Sequence, residues 1–364
     1  MSIATIISFA GGLALLIIGA ESLVKGASRI ASALGISSLV IGLTVVAFGT
    51  SSPELAVSLQ SALNNQPDIA LGNVVGSNIF NVLFILGIAA IITPLIVAQQ
   101  LIKLDVPIMI FVSFVLLLFS LNGIIGNIEG AVLFAGLVGY IVFLIRLSKK
   151  EKKEIVEEYK KEFEYKDQKK VKYWVVNIGL VVVGLIMLVA GSNLLLDASV
   201  TIARILGMSE LVIGLTIIAA GTSLPEVFNS VIASIRGERD IAVGNIVGSN
   251  IFNILGILGL TSFLAPGGVR VSEAAINVDI PIMIAVAIAC LPIFFTGNTI
   301  SRWEGVLFFF YYIIYTVYLI LKSTEHDSLH FFNNTVMFYI LPITALTLAI
   351  YLFRYFRMKK KASG

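Results

Sequence analysis

Glu54 and Glu226 each lie about fifteen residues into a long apolar run, inside the segments GTSSPE and GTSLPE. An ionised carboxylate surrounded by hydrocarbon is expensive, so an acid in such a place is a functional candidate by default. The prolines beside them, Pro53 and Pro225, carry no N–H and release the carbonyls of Gly49 and Gly221 from helical bonding. Glycine, threonine and serine alongside predict a broken helix with carbonyls and hydroxyls turned into a polar cavity. A second polar set is Asn73, Ser77, Asn78 and Asn81, repeated as Asn245, Ser249, Asn250 and Asn253. The spacing of four puts Ser77 and Asn81 on one helix face, and likewise Ser249 and Asn253. The chain holds one cysteine, Cys290, and two histidines, His326 and His330, so sulfur and nitrogen ligands are nearly absent. What remains is two carboxylates among many neutral oxygens. Hard cations such as Ca²⁺ take six to eight oxygen ligands, whereas Mg²⁺ holds on to its waters. Two glutamates supply a charge of −2, matching one Ca²⁺ or two Na⁺. Asn73, Asn245, Asn78 and Asn250 read equally well as hydrogen-bonding glue between helices.

The elements that position these groups must be membrane helices. Of 364 residues, 58% are hydrophobic and 13% charged, about half the charge of an ordinary soluble domain. The net charge of +3 is too small and too localised to suggest nucleic acid. At about 20 apolar residues per span, eleven spans are predicted, near residues 3–20, 37–62, 70–95, 105–121, 127–147, 174–192, 209–235, 242–265, 276–296, 303–321 and 335–353. The first lacks a charged leader and a small-residue cleavage site, so it is expected to be retained as a helix. Residues 146–172 carry eleven Lys/Arg against seven acids, and the tail carries Arg354, Arg357, Lys359, Lys360 and Lys361. The positive-inside rule places both in the cytoplasm, with the N-terminus outside. The mixed signs of the central run make it a solvated linker.

The sequence repeats itself. Residues 39–54 and 211–226 share 12 of 16 positions, and residues 72–81 and 244–253 share nine of ten, both at an offset of 172. The predicted fold is therefore an all-α polytopic membrane protein with two five-helix repeats, residues 1–147 and 174–322. A basic linker at 148–173 joins them, and an external loop at 323–334 leads to an extra helix and tail at 335–364. A repeat with an odd number of spans must insert its second copy upside down, a plan common in secondary transporters with a midplane site between the copies.

GTSxPE paired with GNxxGSNIFN, twice, resembles the alpha repeats of the calcium:cation antiporter superfamily, in particular prokaryotic sodium/calcium exchangers, over residues 1 to about 322. The resemblance implies an ion cluster of Ala47, Thr50, Glu54, Ser77 and Asn81 in the first half and Ala219, Thr222, Glu226, Ser249 and Asn253 in the second. The alanines would offer backbone carbonyls and the others side-chain oxygens. It further implies Ca²⁺ and Na⁺ as cargo, no cofactor, the bilayer of the plasma (inner) membrane as surroundings and no obligate protein partner. Access would alternate by sliding of the glycine-rich segments 3–34 and 174–206. Asn253 stands where several relatives, including the potassium-dependent branch, have Asp. The proton-coupled branch resembles GNxxE at the glutamate helix. Proton or potassium coupling is thus the alternative to sodium coupling.

A cation channel would need weak binding at several places along a continuous pore, which two adjoining carboxylates on proline-broken helices do not favour. An intramembrane enzyme lacks any His–Asp, Asp–Asp or Ser–Lys pair. Among the other acids, Asp68 and Asp240 precede apolar runs as helix N-caps. Asp105, Asp279, Glu129 and Glu304 fall at span ends as anchors or caps. Glu21 and Lys25, one turn apart, are expected to pair.

Overall fold

The computed structural model describes residues 2–34, 36–150, 171–206, 219–295, 298–346 and 349. Most of the basic linker, residues 207–218 with the start of the second signature segment, the end of the last predicted helix and the basic tail lie outside the described residues.

The described chain is helical apart from two ribbons of two-residue strands. Eight helices are long and apolar enough to cross a membrane. They are α1 (Ile3–Leu34), α4 (Pro67–Ile92), α5 (Leu101–Ser120), α6 (Asn127–Lys150), α7 (Val171–Ile205), α9 (Arg239–Leu264), α11 (Arg302–Ser323) and α12 (Leu329–Leu346). The predicted span at 37–62 is two helices, α2 (Ser38–Thr50) and α3 (Ser52–Leu63), bent by 47° at their junction. The spans predicted at 209–235 and 276–296 are shorter here. They are α8 (Leu224–Ile235), whose upstream partner is largely undescribed, and α10 (Ala275–Leu291).

The breaks fall where proline dictates. Pro53 and Pro225 sit in the first turn of α3 and α8, and the residues ahead of those helices, Ser51 (φ −82°, ψ 9°) and Ser223 (φ −89°, ψ 9°), leave helical geometry in the same way. Pro225 frees the Gly221 carbonyl, and Ser192 Oγ on α7 takes it at 2.7 Å. At the same offset from Ser192, the first half has Ala20, which has no hydroxyl to offer Gly49.

The apolar layering suits lipid. Large side chains such as Phe111, Ile186 and Phe338 are exposed on the outside, where acyl chains replace water. α9 is instead buried along its whole apolar window and forms the centre. That is why this helix can carry GNIVGSNIFN: none of its amides or hydroxyls faces hydrocarbon. Local π-helical turns begin at Asn81 in α4 and at Asn253 in α9, a distortion that recurs at functional sites.

α1 and α7 run antiparallel along a seam of glycine. A Cβ on Gly12 would lie 2.8 Å from the Gly191 carbonyl oxygen, one on Gly19 3.0 Å from that of Gly184, and one on Gly26 2.8 Å from that of Asn177. Only hydrogen fits there. The ribbons also tie the two halves together: β1 (Leu95–Ile96) pairs with β4 (Thr299–Ile300), and β2 (Ile124–Ile125) with β3 (Val269–Arg270), all antiparallel.

Several acids differ from expectation. Glu21 pairs with Arg236 in the turn after α8, not with Lys25, because the tertiary fold brings a guanidinium to it from outside its own helix. The N-caps of α4 and α9 are Gln66 and Glu238, so Asp68 and Asp240 stand two residues further in, in the first turn, where the helix dipole favours a negative charge. Asp105 is no interfacial anchor. It is fully buried and accepts hydrogen bonds from Tyr140 Oη at 2.9 Å and Gln100 Nε2 at 3.1 Å. Glu304 is a cap, its Oε2 accepting from the Ser301 backbone N–H at 2.7 Å.

The seam yields a stability prediction. Gly184→Val places carbon 2.7 Å from Leu23 N and is expected to cost about 1–3 kcal/mol as overpacking. Gly139→Ala, with nothing within 4 Å of the new Cβ, is the control and should leave the melting temperature unlowered. Thermal unfolding of both in detergent measures the difference, and equal melting temperatures would contradict the seam.

Candidate functional site: a buried cluster of acceptor oxygens

Glu54 and Glu226, the first-turn acids of α3 and α8, are both buried. Neither has a basic partner among the described residues. Each carboxylate is instead held by a hydroxyl from the opposite half of the chain. Ser51 Oγ donates to Glu226 Oε1 at 2.8 Å, and Ser223 Oγ donates to Glu54 Oε1 at 2.9 Å. The same serines reach the central helices, with Ser51 Oγ 3.1 Å from Ser249 Oγ and Ser223 Oγ 3.2 Å from Ser77 Oγ.

The threonines cross over too. Thr50 Oγ1 donates to Asn245 Oδ1 at 3.1 Å, and Thr222 Oγ1 donates to Asn73 Oδ1 at 3.4 Å. Asn73 Nδ2 donates within its own half to the Glu54 carbonyl at 3.0 Å and to Ser58 Oγ at 2.9 Å, while Asn245 Nδ2 donates to Ser230 Oγ at 3.0 Å. Asn81 Nδ2 donates to Asn250 Oδ1 at 3.0 Å, and Asn253 Nδ2 to Asn78 Oδ1 at 2.9 Å.

Thr50, Glu54, Ser77 and Asn81 thus each bond to a side chain of the second half, and Thr222, Glu226, Ser249 and Asn253 each bond to one of the first, in several separate sets. The Ala47 carbonyl accepts the Ser51 N–H at 3.0 Å and Thr50 Oγ1 at 3.4 Å. Ala219 opens a short helical turn, Ala219–Gly221, at the edge of an undescribed stretch. Ser58 and Ser230 escaped the sequence reading, and so did Ser51 and Ser223. Their signal was present, since the serine of GTS recurs in both halves, but which acid it serves depends on tertiary structure.

Four buried side-chain oxygens in this cluster have no hydrogen-bond partner: Glu54 Oε2, Glu226 Oε2, Asn81 Oδ1 and Asn253 Oδ1. All four are acceptors. A buried acceptor left without a donor costs about 1–3 kcal/mol, more when charged, and a cation is the ligand that satisfies several at once. No three His, Cys, Asp or Glu side chains gather anywhere among the described residues, and the oxygens open in this cluster are those of two carboxylates and two amides. That composition suits a hard cation and not a transition metal.

A bundle of membrane-length helices enclosing two buried carboxylates has the architecture of an integral membrane transporter. The chain belongs to the sodium/calcium exchanger protein family, which matches residues 4–146 and 176–321. It is 40% identical to the putative antiporter CaxA of Alkalimonas amylolytica over 328 residues, covering 89% of this chain and 100% of that protein. It is 34% identical to the sodium/calcium exchanger MaX1 of Methanosarcina acetivorans, covering 85% and 96%. The solved sodium-calcium exchanger NCX_Mj, soaked with zero Na⁺ and Ca²⁺, superposes with a TM-score of 0.74 at 32% identity, covering 86% of this chain and 98% of that one.

The crossed serines can be tested directly. Ser223→Ala removes the hydroxyl that orients Glu54 and is expected to lower cation affinity about 10- to 100-fold, the usual effect of losing a group that orients a ligand. Ser51→Ala should match it through Glu226. Titration calorimetry on purified protein reads both, and unchanged affinity would separate the serines from the site.

Proposed function

We propose that this chain exchanges Ca²⁺ for Na⁺ across the plasma membrane by alternating access. The observation that carries the reading is the set of four partnerless acceptor oxygens around Glu54 and Glu226. Their two formal charges offset one Ca²⁺ or two Na⁺, so either cargo can occupy the same cavity, but not both at full charge compensation. Thr50, Ser77, Asn81, Thr222, Ser249 and Asn253, with the carbonyls of Ala47 and Ala219, complete the coordination. Family membership and the names of MaX1 and NCX_Mj support the choice of ions.

The architecture in this proposal is ten helices in two inverted repeats, with α12 as an eleventh. The reciprocal contacts at offset 172 and the crossed ribbons support it. α1 and α7 form the moving gate. α7 lies against both breaks, since a Cβ on Gly49 would meet Leu185 and one on Gly221 would meet Leu196. The N-terminus lies outside and the linker and tail lie in the cytoplasm, as the Lys/Arg distribution supports. With amides and not carboxylates at positions 81 and 253, the site has no third charge for K⁺ to balance.

Glu54→Gln and Glu226→Gln are each expected to abolish Na⁺-driven Ca²⁺ uptake in proteoliposomes, because one carboxylate cannot offset a divalent ion in a low dielectric. Both variants should still insert and purify as folded protein. Near-normal uptake by either removes that glutamate from the site. The wild type, assayed with Na⁺, K⁺ and pH gradients in turn, should respond to Na⁺ alone. Loss of exchange when K⁺ is replaced by a large organic cation would overturn the coupling.

A further inference from the structure

Asn78 and Asn250 stand next to the cluster, and each reaches into the opposite half of the chain. Asn250 Nδ2 donates to the Asn78 backbone carbonyl at 3.3 Å and lies 3.5 Å from Met109 Sδ, while its Oδ1 accepts from Asn81 Nδ2 at 3.0 Å. Asn78 mirrors it. Its Nδ2 donates to the Asn250 carbonyl at 3.2 Å and lies 3.5 Å from Met283 Sδ, and its Oδ1 accepts from Asn253 Nδ2 at 2.9 Å. All four asparagines are buried.

A primary amide has two ends of opposite electrostatic character, and its hydrogen-bond partners decide which end faces where. Asn250 binds the N–H end of Asn81, and Asn78 binds the N–H end of Asn253. The oxygens of Asn81 and Asn253 themselves are buried acceptors that lack a donor. With its N–H end unheld, either amide could rotate and aim partial positive charge at the site. A carboxylate has no such wrong end.

We propose that Asn78 and Asn250 are positioning residues which hold the amides of Asn253 and Asn81 oxygen-first toward the cation, each half of the chain orienting the other half's ligand. The inference rests on the exchanger reading above and deepens it. A packing role would use the same contacts, but it makes a different prediction. An orienting residue becomes dispensable once its client has two equivalent oxygens, whereas a packing residue does not.

The experiment is a double-mutant cycle on full-length protein in detergent, with Ca²⁺ affinity read by titration calorimetry and size by gel filtration. Asn250→Leu alone is expected to lower Ca²⁺ affinity about 10- to 100-fold. In the Asn81→Asp background the same substitution should change affinity by no more than about twofold, the scatter of independent substitutions. Asn78→Leu with Asn253→Asp gives a second, independent cycle with the same expectation. Equal losses in both backgrounds assign Asn250 to packing and overturn the proposal, as does loss of monodisperse protein on introducing leucine in either background. A wild type that binds no Ca²⁺ at all would instead sink the exchanger reading, and this inference with it. A binding wild type without coupling sinks this inference alone.

Discussion

Two carboxylates held in a buried interior, with no basic side chain beside them among the described residues, are the constraint from which the rest follows. Glu54 and Glu226 are each buried to within 1% of their surface, so whatever satisfies their charge must come from inside the protein or from a ligand. The fold offers one hydroxyl to each acid and leaves the second oxygen of each without a donor. Full satisfaction by protein donors would make the acids stable and useless. Partial satisfaction leaves acceptor oxygens open at the centre of the bundle, where α9 and α4 shield the polar groups from lipid.

The crossed pattern explains why two similar halves must come together. Glu54 and Glu226 each take a hydroxyl from the opposite repeat, Ser51 serving Glu226 and Ser223 serving Glu54, and Asn81 and Asn253 reach across in the same way to Asn250 and Asn78. A single repeat would leave each of these donors and acceptors without its partner. Symmetry is nevertheless incomplete. Ser192 caps the Gly221 carbonyl whereas Ala20 offers nothing to Gly49, and the Glu21–Arg236 pair has no counterpart, because the corresponding residues are Asn193 and Asn64. The two sides of the molecule are therefore not energetically equivalent.

Much of this was legible in the sequence. The duplicated GTSxPE and GSNIFN segments located the acids and amides, and proline marked the breaks that the 47° bend at Ser51 displays. What was not legible has one physical cause. Repeat identity says that Ser51 and Ser223 are alike, but hydrogen bonds depend on which surfaces meet. The sequence therefore suggested Lys25 for Glu21 where the fold brings the guanidinium of Arg236, and it read Asp105 as an interfacial anchor or cap where Tyr140 and Gln100 hold its carboxylate in the interior. The interfaces between helices, like the amide orientation at Asn81 and Asn253, are properties of the assembled chain.

The glycine seam between α1 and α7 has a geometric consequence of its own. The glycines at 12, 19 and 26 and those at 184 and 191 recur every seven residues, and the observed register sets Gly12 on Gly191 and Gly19 on Gly184. A shift of one helix by seven residues, about 10 Å at 1.5 Å per residue, would set Gly19 on Gly191 and Gly26 on Gly184, glycine on glycine once more. Interlocking side chains make one alignment of two helices far better than its neighbours. Bare backbone pressed on bare backbone makes alignments degenerate, so the seam holds the two helices together while saying little about how far along each other they should sit.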